Sequence, residues 1–299
     1  MNHEDFLGAY LKDRQKIVEE ALQRYLPDKD SVPQELHAAI HYSVFAGGKR
    51  IRPILCLAAA EACGGDTAPA MPVACALELI HTYSLIHDDL PAMDNDDFRR
   101  GKPTSHKVFG EAVAILAGDA LLTEAFVLLS RAEKIRHAAE RRLAVIQEIA
   151  SAAGIAGMVG GQALDIRAEK NDLDCAGLTD IHRRKTGALI MAAVKSGAIL
   201  AGASDDKIHA LGVYGSHIGI AFQIADDILN VEGDSNLMGK KTGSDAALGK
   251  VTYPALLGLE AAREKLAEHI ETAIAGIAAF DSRALPLRVI ARYIMERKS

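Results

Sequence analysis

The chain has 299 residues and a formal net charge of -6, and 49% of its residues are hydrophobic while only 5% are aromatic, with no tryptophan. The length allows one or two domains with a large core, and the excess of alanine and leucine over β-branched and aromatic residues favours helices over sheets. The acidic balance argues against nucleic acid as the main partner, which would need a basic patch.

Cysteine spacing and the first residues of the chain predict a cytoplasmic location. The four cysteines form no C-x-x-C pair and most lie in apolar, alanine-rich stretches, so we expect reduced core residues rather than a zinc site or disulfides. The N-terminal residues are charged and lack the apolar core of a signal peptide. No uninterrupted apolar run reaches about 18 residues, so we predict no membrane span.

Apolar residues recur at helical spacing along nearly the whole chain, and glycine or proline marks most segment ends. The predicted helices cover residues 6–25, 34–46, 53–63, 72–89, 111–130, 134–154, 155–168, 178–203, 205–214, 215–231, 253–280 and 282–297. No stretch alternates with a period of two for long enough to predict a strand. The sequence therefore predicts a single all-α domain over residues 1–299, a helical bundle of ten or more helices.

The helix predicted over residues 72–89 ends in a cluster of acidic residues. The segment LIHDDLPAMDNDD (85–97) contains five carboxylates, those of Asp88, Asp89, Asp94, Asp96 and Asp97. Acids at a helix C-terminus are unfavourable, because that end already carries partial negative charge. A ligand or counter-ion is needed to offset this cost.

Two predicted helices, far apart in sequence, each carry a polar stripe on otherwise apolar surroundings. The stripe residues are His81, Ser84 and Asp88 in the first, and Gln223, Asp226, Asp227 and Asn230 in the second. A charged stripe cannot face a dry core without partners. The flanking apolar residues therefore predict that both stripes line a central polar cavity.

The chemistry of these segments predicts a site for metal ions and diphosphates. Carboxylates on separate helices suit Mg²⁺, which prefers oxygen ligands and keeps waters when it also binds substrate phosphates. Four basic clusters would bind the anions, namely GGKRIRP (47–53), FRRGK (98–102), HRRKTGALI (182–190) and GKKTGSD (239–245). The glycine pair of the first cluster lets backbone approach an anion closely.

From about residue 45 to the C-terminus, the sequence resembles the trans-isoprenyl diphosphate synthases, most closely the bacterial farnesyl diphosphate synthases. DDLPAMD and FQIADDILN match the two aspartate-rich motifs, and GGKRIRP, GGQALDI, KTGALI and GKKTGSD match other blocks in the family's order. The resemblance implies the isoprenoid synthase fold. It also implies Mg²⁺-dependent, head-to-tail condensation of isopentenyl diphosphate with dimethylallyl and geranyl diphosphates to (2E,6E)-farnesyl diphosphate.

The resemblance assigns roles to the matching positions. The implied ligands of about three Mg²⁺ ions are Asp88, Asp89, Asp94, Asp226 and Asp227. The implied substrate-binding residues are Gly48, Lys49, Arg52, His81, Arg99, Arg100, Lys185, Lys240 and Lys250. The implied catalytic residues, which stabilise the allylic carbocation, are Lys185 through its carbonyl group, Thr186 and Gln223, and the implied supporting residues are Gln162 and Asp165.

The resemblance also places the control of product length at Tyr83 and Ser84. Tyr83 lies five residues before Asp88, which is about 7.5 Å along a helix. An aromatic residue here blocks a growing prenyl tail in the family, so we expect a C15 product. A geranylgeranyl or geranyl diphosphate synthase is the alternative.

Several residues in or near the motifs are expected to have no direct role. Asn230 stands where the family has the last aspartate of the second motif, so the resemblance assigns it no metal. For Asp96 and Asp97 the sequence leaves open two roles, solvated loop acids that pair with Arg99 or Arg100, or members of the acidic site. Asp119, an acid within an apolar helix, is expected to be hydrogen-bonded in the core, and Arg50 is expected to be exposed.

Three other functions fit parts of the sequence. His87-Asp88 is the dipeptide of the HD metal phosphohydrolases, but that class leaves the basic clusters unexplained. A terpene cyclase shares the fold and the first acidic motif, but usually lacks the second Asp-Asp pair. A regulatory subunit of a heteromeric prenyltransferase tends to lose the acidic motifs, and both are present here. The resemblance further implies a homodimer.

Overall fold

The computed structural model describes residues 3–131, 138–168, 173–232 and 251–296 of the chain. The predictions made for Lys240, Lys250 and the basic cluster at 239–245 lie outside the described residues. Within the described ranges the chain is almost entirely helical. The prediction of an all-α fold with ten or more helices is confirmed.

The α-helices follow one another along the chain with short connections. In chain order they are α1 (His3–Tyr25), α2 (Gln34–Val44), α3 (Ile51–Ala62), α4 (Met71–Asp88), α5 (Ser105–Phe109), α6 (Glu111–Ser130), α7 (Ala138–Ala153), α8 (Met158–Ala168), α9 (Cys175–His182), α10 (Ala188–Leu200), α11 (Asp205–Glu232), α12 (Tyr253–Leu257), α13 (Leu259–Gly276) and α14 (Leu285–Glu296). Short 3-10 turns at Ala68–Ala70 and Ser282–Ala284 precede α4 and α14. A π-helical turn at Arg183–Gly187 separates α9 from α10.

Two glycines explain where helix boundaries differ from the predicted ones. We expected a break at Gly215, but α11 runs unbroken through it. A Cβ atom on Gly215 would lie 2.7 Å from the Cα atom of Met191 in α10, so this glycine permits close helix packing. Gly258 has a φ of 81°, a left-handed conformation that glycine adopts at little cost, and it ends α12 before α13 begins.

A small hairpin lies between α4 and α5, although we predicted no strand. β1 (Phe98–Arg99) pairs antiparallel with β2 (Lys102–Pro103). The two residues between the strands, Arg100 and Gly101, have φ angles of 53° and 74°, as expected for a tight I′ hairpin turn. Strands of two residues show no measurable alternation, so periodicity could not predict this hairpin.

The helices form two compact units. The first takes the residues up to Ile54 and Ala68–Arg142, and the second takes Leu55–Thr67 and the residues from Leu143 onwards. In the first unit α4 packs along α6, and in the second α11 packs against α10 and α13. The prediction of a single domain over residues 1–299 stays a prediction.

Small residues bring the helices of each unit close together. Gly118 of α6 lies against the His87 ring of α4 in the first unit. In the second unit, Gly197 of α10 lies against the backbone of Cys56 in α3. Neither position has room for a Cβ atom. The alanine- and glycine-rich composition therefore reflects short distances between helix axes.

Among the described residues, three segments are long and apolar enough to cross a membrane by length and composition alone, namely Ala68–Asp88, Glu111–Ser130 and Ala139–Ala168. In the first of them 72% of the most apolar window is buried inside the fold, against 39% and 33% in the other two. The prediction of no membrane span rests on the sequence and stays a prediction.

Two predictions about burial are wrong. Asp119 does not lie in the core, because its side chain is 62% exposed on α6, at 3.9 Å from the His87 ring. The composition misled here because α6 also exposes apolar residues such as Ile115 and Leu116. Arg50, which we expected to be exposed, is only 2% exposed, because it forms a buried ion pair with Glu78.

A pair of histidines in the second unit makes stability depend on pH. The Nδ1 atoms of His217 in α11 and His269 in α13 lie 2.9 Å apart. Burial, His217 and Lys265 lower the pKa of His269 to about 4, with Glu268 opposing. Burial also lowers the pKa of His217. Since an unfolded histidine titrates near 6.5, the folded chain loses stability as the pH falls from about 6.5 towards 4.

Replacing His269 by glutamine should reduce this sensitivity to acid. We expect the difference in Tm between about pH 7.5 and about pH 5 to shrink by about 2–4 °C, a small effect because both rings are partly exposed. His209→Gln, at an exposed position of α11, is the control and should leave the difference unchanged. Equal pH dependence in His269→Gln and in wild type would contradict the prediction.

Candidate active site

The loop after α4 folds back and brings two aspartates of the first acidic motif together. Asp88 is the last residue of α4, and the backbone N–H of Asp94 donates a hydrogen bond of 2.8 Å to its carbonyl oxygen. Asn95 has a φ of 52° and donates its own N–H to Leu90, which completes the turn. Both Asp88 and Asp94 are half-buried. The turn thus satisfies a carbonyl at the helix end and places two carboxylates there.

Asp89 and Arg99, predicted to bind metal and diphosphate, bind each other in this structure. The Arg99 guanidinium donates three hydrogen bonds of 2.6 to 2.9 Å to the Asp89 carboxylate, which is buried. Burial would lower the pKa of Arg99, but Asp89, helped by Asp96 and Asp88, raises it above its ordinary value. Asp89 therefore anchors the hairpin to the end of α4, and neither group is presented to its predicted ligand.

The glycine pair before α3 forms a turn whose carbonyl groups accept hydrogen bonds from side chains. Gly47 and Gly48 have φ angles of 97° and 126°, in the region that favours glycine. The carbonyl of Gly47 accepts from Arg100 Nη1, and that of Gly48 accepts from Gln15 Nε2 at 3.2 Å. A Cβ atom on Gly48 would lie 2.7 Å from the Arg100 guanidinium. Gly48 is therefore needed where Arg100 crosses the turn.

His81 on α4 lies in a cationic neighbourhood that includes this turn. Burial lowers the pKa of His81 well below its ordinary value, and four nearby guanidinium groups lower it further, those of Arg52, Arg100, Arg99 and Arg50. The neutral imidazole can donate a hydrogen bond without adding another positive charge. The predicted anion-binding residues of the first unit thus lie together, with Lys49 exposed in the same turn.

Tyr83 is buried on α4 before the acidic end of the helix. It is 7% exposed, and its ring meets the His87 ring edge to face, with centroids 5.7 Å apart. Burial and the charge of Asp88 raise the pKa of the phenol. The Ser84 hydroxyl donates to the carbonyl of His81 at 2.9 Å, so it is bound within its own helix. Of the two residues predicted to control product length, Tyr83 is therefore the one that places a large buried ring near Asp88.

In the second unit, two predicted catalytic residues lie on the π-helical turn, where we predicted a continuous helix. Such turns are rare and concentrate at functional sites. The ammonium group of Lys185 donates to Asp165 of α8 at 2.6 Å. Gly161 of α8 allows this approach, since a Cβ atom there would collide with the Lys185 backbone. The GGQALDI segment thus packs directly on the turn that carries Lys185.

Thr186 and Gln223, predicted to act together, are hydrogen-bonded to each other. Thr186 Oγ1 donates to Gln223 Oε1 at 2.8 Å, which links the π-helical turn to α11. In α8, Gln162 follows Gly161, and within the described ranges neither its buried amide nitrogen nor its amide oxygen has a hydrogen-bond partner. A buried amide without a partner is costly, so Gln162 indicates a place prepared for a polar ligand.

The second Asp-Asp pair divides between two environments. Asp226 is half-buried, as is Gln223 one turn before it, whereas Asp227 is 6% exposed. Asp227 Oδ2 accepts the backbone N–H of Tyr253 at 3.0 Å and lies 3.7 Å from His182 Nε2. Asp227 was predicted to bind metal, but in this structure it holds the first residue of α12.

The two acidic motifs share this division. The first aspartate of each pair, Asp88 or Asp226, is half-buried, while the second, Asp89 or Asp227, is buried against a partner in the protein. Consecutive helical residues point about 100° apart, so adjacent acids cannot both face one ligand. Asp88, Asp94 and Asp226 are therefore the better candidates for metal ligands.

Two buried contacts near the predicted site residues were not predicted from the sequence, one in each unit. Glu78 is buried beside Arg50, and its signal was a single acid within the apolar segment ACALELI, which requires a partner when buried. Tyr253 stacks on His182 with ring centroids 5.7 Å apart, and its hydroxyl lies 2.7 Å from Thr179 Oγ1. The sequence carried no signal for this second group.

The half-buried aspartates fit a hard divalent cation that also binds its substrate. Where phosphates are substrates, Mg²⁺ takes one or two carboxylates together with phosphate oxygens and waters. In the first unit, Asp88 and Asp94 offer such oxygens on one turn, and in the second unit, taken by itself, Asp226 offers them on α11. Within the described part of the chain, no three His, Cys, Asp or Glu side chains converge as a metal cage.

Comparisons with known proteins show which family the chain belongs to. Residues 33–282 match the sequence profile of the polyprenyl synthetase family. A farnesyl diphosphate synthase of Geobacillus stearothermophilus is 52% identical over 88% of this chain and 89% of its own, and a geranylgeranyl diphosphate synthase of Cyanophora paradoxa is 46% identical over 98% and 97%. The solved geranylgeranyl pyrophosphate synthetase of Pyrococcus horikoshii Ot3 matches with a TM-score of 0.90 at 33% identity, over 99% of this chain and 100% of its own.

The chain therefore belongs to the polyprenyl synthetase family and is a prenyltransferase. The resemblance inferred from the six motifs is confirmed, and the phosphohydrolase alternative is excluded. The relatives carry the names of both farnesyl and geranylgeranyl diphosphate synthases. Family membership thus establishes the class of reaction and leaves the product length to the site itself.

Proposed function

We propose that this chain is a Mg²⁺-dependent farnesyl diphosphate synthase, which adds isopentenyl diphosphate head to tail to dimethylallyl and then to geranyl diphosphate. The observation that carries the proposal is the end of α4. There, Asp88 and Asp94 share one turn, and the buried ring of Tyr83 lies one and a half turns before them. The two aspartates would hold the metal ions that bind the diphosphate, and the Tyr83 ring would block further growth of the prenyl chain. A geranylgeranyl or geranyl diphosphate synthase remains the alternative.

The cationic neighbourhood of the first unit would bind the substrate diphosphates. Isopentenyl diphosphate would contact Lys49, Arg52, His81 and Arg100, and the neutral His81 would donate one hydrogen bond. Arg99 would bind the allylic diphosphate when its pair with Asp89 opens. About three Mg²⁺ ions, held with Asp88, Asp94 and Asp226, would offset the negative charge that develops on the departing diphosphate.

The second unit would stabilise the allylic carbocation. The Thr186 hydroxyl donates a hydrogen bond to Gln223 Oε1, so the lone pairs of the hydroxyl oxygen can be directed towards a positive centre. The carbonyl of Lys185 lies on the π-helical turn and would act in the same way. No histidine or glutamate base is needed, because the departing diphosphate can accept the proton that the condensed product loses.

We also propose that the enzyme acts as a cytoplasmic homodimer. The four cysteines are free thiols, which fits a reducing compartment. On α6, Ile115, Leu116 and Val127 are 42%, 56% and 42% exposed, and apolar residues of this size on one helix suit a subunit contact. Light scattering of the purified protein would test the dimer directly.

A product assay tests the proposed function. The purified chain is incubated with isopentenyl diphosphate, dimethylallyl diphosphate and Mg²⁺, and the products are dephosphorylated and sized as alcohols. Mostly C15 alcohol, abolished by EDTA, supports the proposal. Mostly C20 or C10 alcohol would support the proposed prenyl transfer and would contradict the proposed C15 product. Absence of condensation overturns the proposal and favours a cyclase or a regulatory subunit.

The product should lengthen when Tyr83 is replaced by alanine. The smaller side chain removes the buried ring before Asp88, so the chain can grow past C15 and C20 should become the main product. Tyr83→Phe keeps the ring and is the matched control, which should still make C15. If Tyr83→Ala and wild type gave the same distribution of alcohols, Tyr83 would have no part in chain length.

A further inference from the structure

We propose that Glu78 is a positioning residue for isopentenyl diphosphate, and that it acts through Arg50 on the turn formed by residues 47–52. This inference rests on the proposed function. Glu78 itself would touch neither substrate nor metal. Its role would be to hold in place the backbone that carries the anion-binding residues Lys49 and Arg52.

The contact between the two side chains is buried and short. The guanidinium of Arg50 and the carboxylate of Glu78 are 1% and 2% exposed, and Nη1 donates to Oε1 at 2.6 Å. The second terminal nitrogen of Arg50 donates to the carbonyl of Val44 at 2.7 Å. Glu19 also approaches Arg50, but at 3.5 Å and with a side chain that is 37% exposed. Glu78 is therefore the buried carboxylate that fixes the guanidinium.

Fixing Arg50 fixes the turn, because its backbone is in an unusual conformation. Arg50 has a φ of 52°, which is unfavourable for a residue with a side chain and persists only where the surroundings enforce it. Its carbonyl accepts the N–H of Ile54 and so begins α3. Lys49 directly precedes Arg50, and Arg52 lies two residues after it in the first turn of α3. The ion pair thus holds Arg50, whose backbone orients the two predicted substrate-binding residues, Lys49 and Arg52.

Glu78 also balances charge in the cationic neighbourhood. Burial lowers the pKa of Arg100, and Arg50 and Arg99 lower it further, while Glu78 and Asp89 oppose this. If electrostatics alone mattered, removing the negative charge of Glu78 would strengthen the binding of a diphosphate anion. A positioning role predicts the opposite, since the loosened turn would no longer present Lys49 and Arg52 together. The two explanations therefore predict changes of opposite sign in the affinity for isopentenyl diphosphate.

The experiment measures KM for each substrate separately in Glu78→Gln, which keeps the shape and one acceptor oxygen but removes the charge. We expect KM for isopentenyl diphosphate to rise by about tenfold to a hundredfold, while KM for geranyl diphosphate changes by less than about twofold. Glu148→Gln is the matched control, because it neutralises the carboxylate of another ion pair with a 2.6 Å separation, that with Lys195 in the second unit, and it should leave both KM values unchanged. Calorimetry with isopentenyl diphosphate alone should show the same loss of affinity.

The KM values of Glu78→Gln decide whether Glu78 is a positioning residue. An unchanged or lower KM for isopentenyl diphosphate in active Glu78→Gln would overturn the inference. So would an equal rise of both KM values, since that would show that the effect is not specific to the binding of isopentenyl diphosphate. If Glu78→Gln does not fold, Arg50→Lys is tested instead, because lysine keeps the charge but cannot contact Glu78 and the Val44 carbonyl together. This variant must then show the same selective rise in KM for isopentenyl diphosphate. A wild-type chain that makes no prenyl product overturns the proposed function, whereas an active wild type with an unaltered variant overturns this inference alone.

Discussion

Replacing Asp88 by asparagine is expected to lower kcat for condensation by about a thousandfold. The carboxylate lies at the half-buried end of α4 beside the Asp94 turn, where it would help to offset charge on the departing diphosphate. Asparagine keeps the size of the side chain and leaves the backbone hydrogen bond from Asp94 in place. The fold should therefore survive, with Tm changed by only a few degrees. The measurement is single-turnover prenyl transfer over a range of Mg²⁺ concentrations.

Asp97→Asn is the matched control for this prediction. Asp97 belongs to the same acidic segment, but its side chain is 61% exposed and pairs with Lys107 at 2.8 Å. For Asp97 the structure thus favours the solvated loop acid of the two alternatives that the sequence left open, with Lys107 as its partner in place of the predicted Arg99 or Arg100. Activity within about twofold of wild type is expected, since exposed ion pairs contribute little. Similar losses in both variants, or a nearly active Asp88→Asn, would refute the assignment of Asp88.

Replacing Lys185 by glutamine is expected to lower kcat/KM for the allylic diphosphate by about a hundredfold. The Lys185 ammonium is held by Asp165 at 2.6 Å on the π-helical turn, so the cation is already oriented when substrate arrives. Glutamine keeps a hydrogen-bond donor but loses the charge that would act on the departing diphosphate. KM for isopentenyl diphosphate should change little. Steady-state kinetics with each substrate varied in turn would measure both effects.

The second unit contains a close match for this ion pair. Lys195 and Glu148 also lie 2.6 Å apart, with side chains that are 25% and 23% exposed, against 26% and 27% for Lys185 and Asp165. Lys195→Gln should therefore cost a similar amount of stability and leave activity intact. Equal activity of the two variants would show that Lys185 is structural. A selective loss in Lys185→Gln would show that its charge takes part in the reaction.

Helices were predictable where the apolar pattern continued and a strong local signal ended it. The helix predicted over residues 111–130 is α6 (Glu111–Ser130) as observed, because glycine and polar residues bound a long apolar segment. Gly215 was misleading, since it serves close packing against Met191 rather than a chain break. The π-helical turn at Arg183–Gly187 was also missed, because it changes the backbone hydrogen bonds without changing the apolar pattern.

The sequence by itself determined the helical class, the order of the acidic and basic segments and the family, because local patterning and motifs are properties of neighbouring residues. Tertiary structure alone decided which aspartate of each pair is buried and which is half-buried. Asp89 turns to Arg99 and Asp227 to the backbone of Tyr253, and such partners depend on packing between elements. The pairing of Arg50 with Glu78 joins residues 28 positions apart. No local pattern encodes a contact of that separation, since it forms only when whole helices pack.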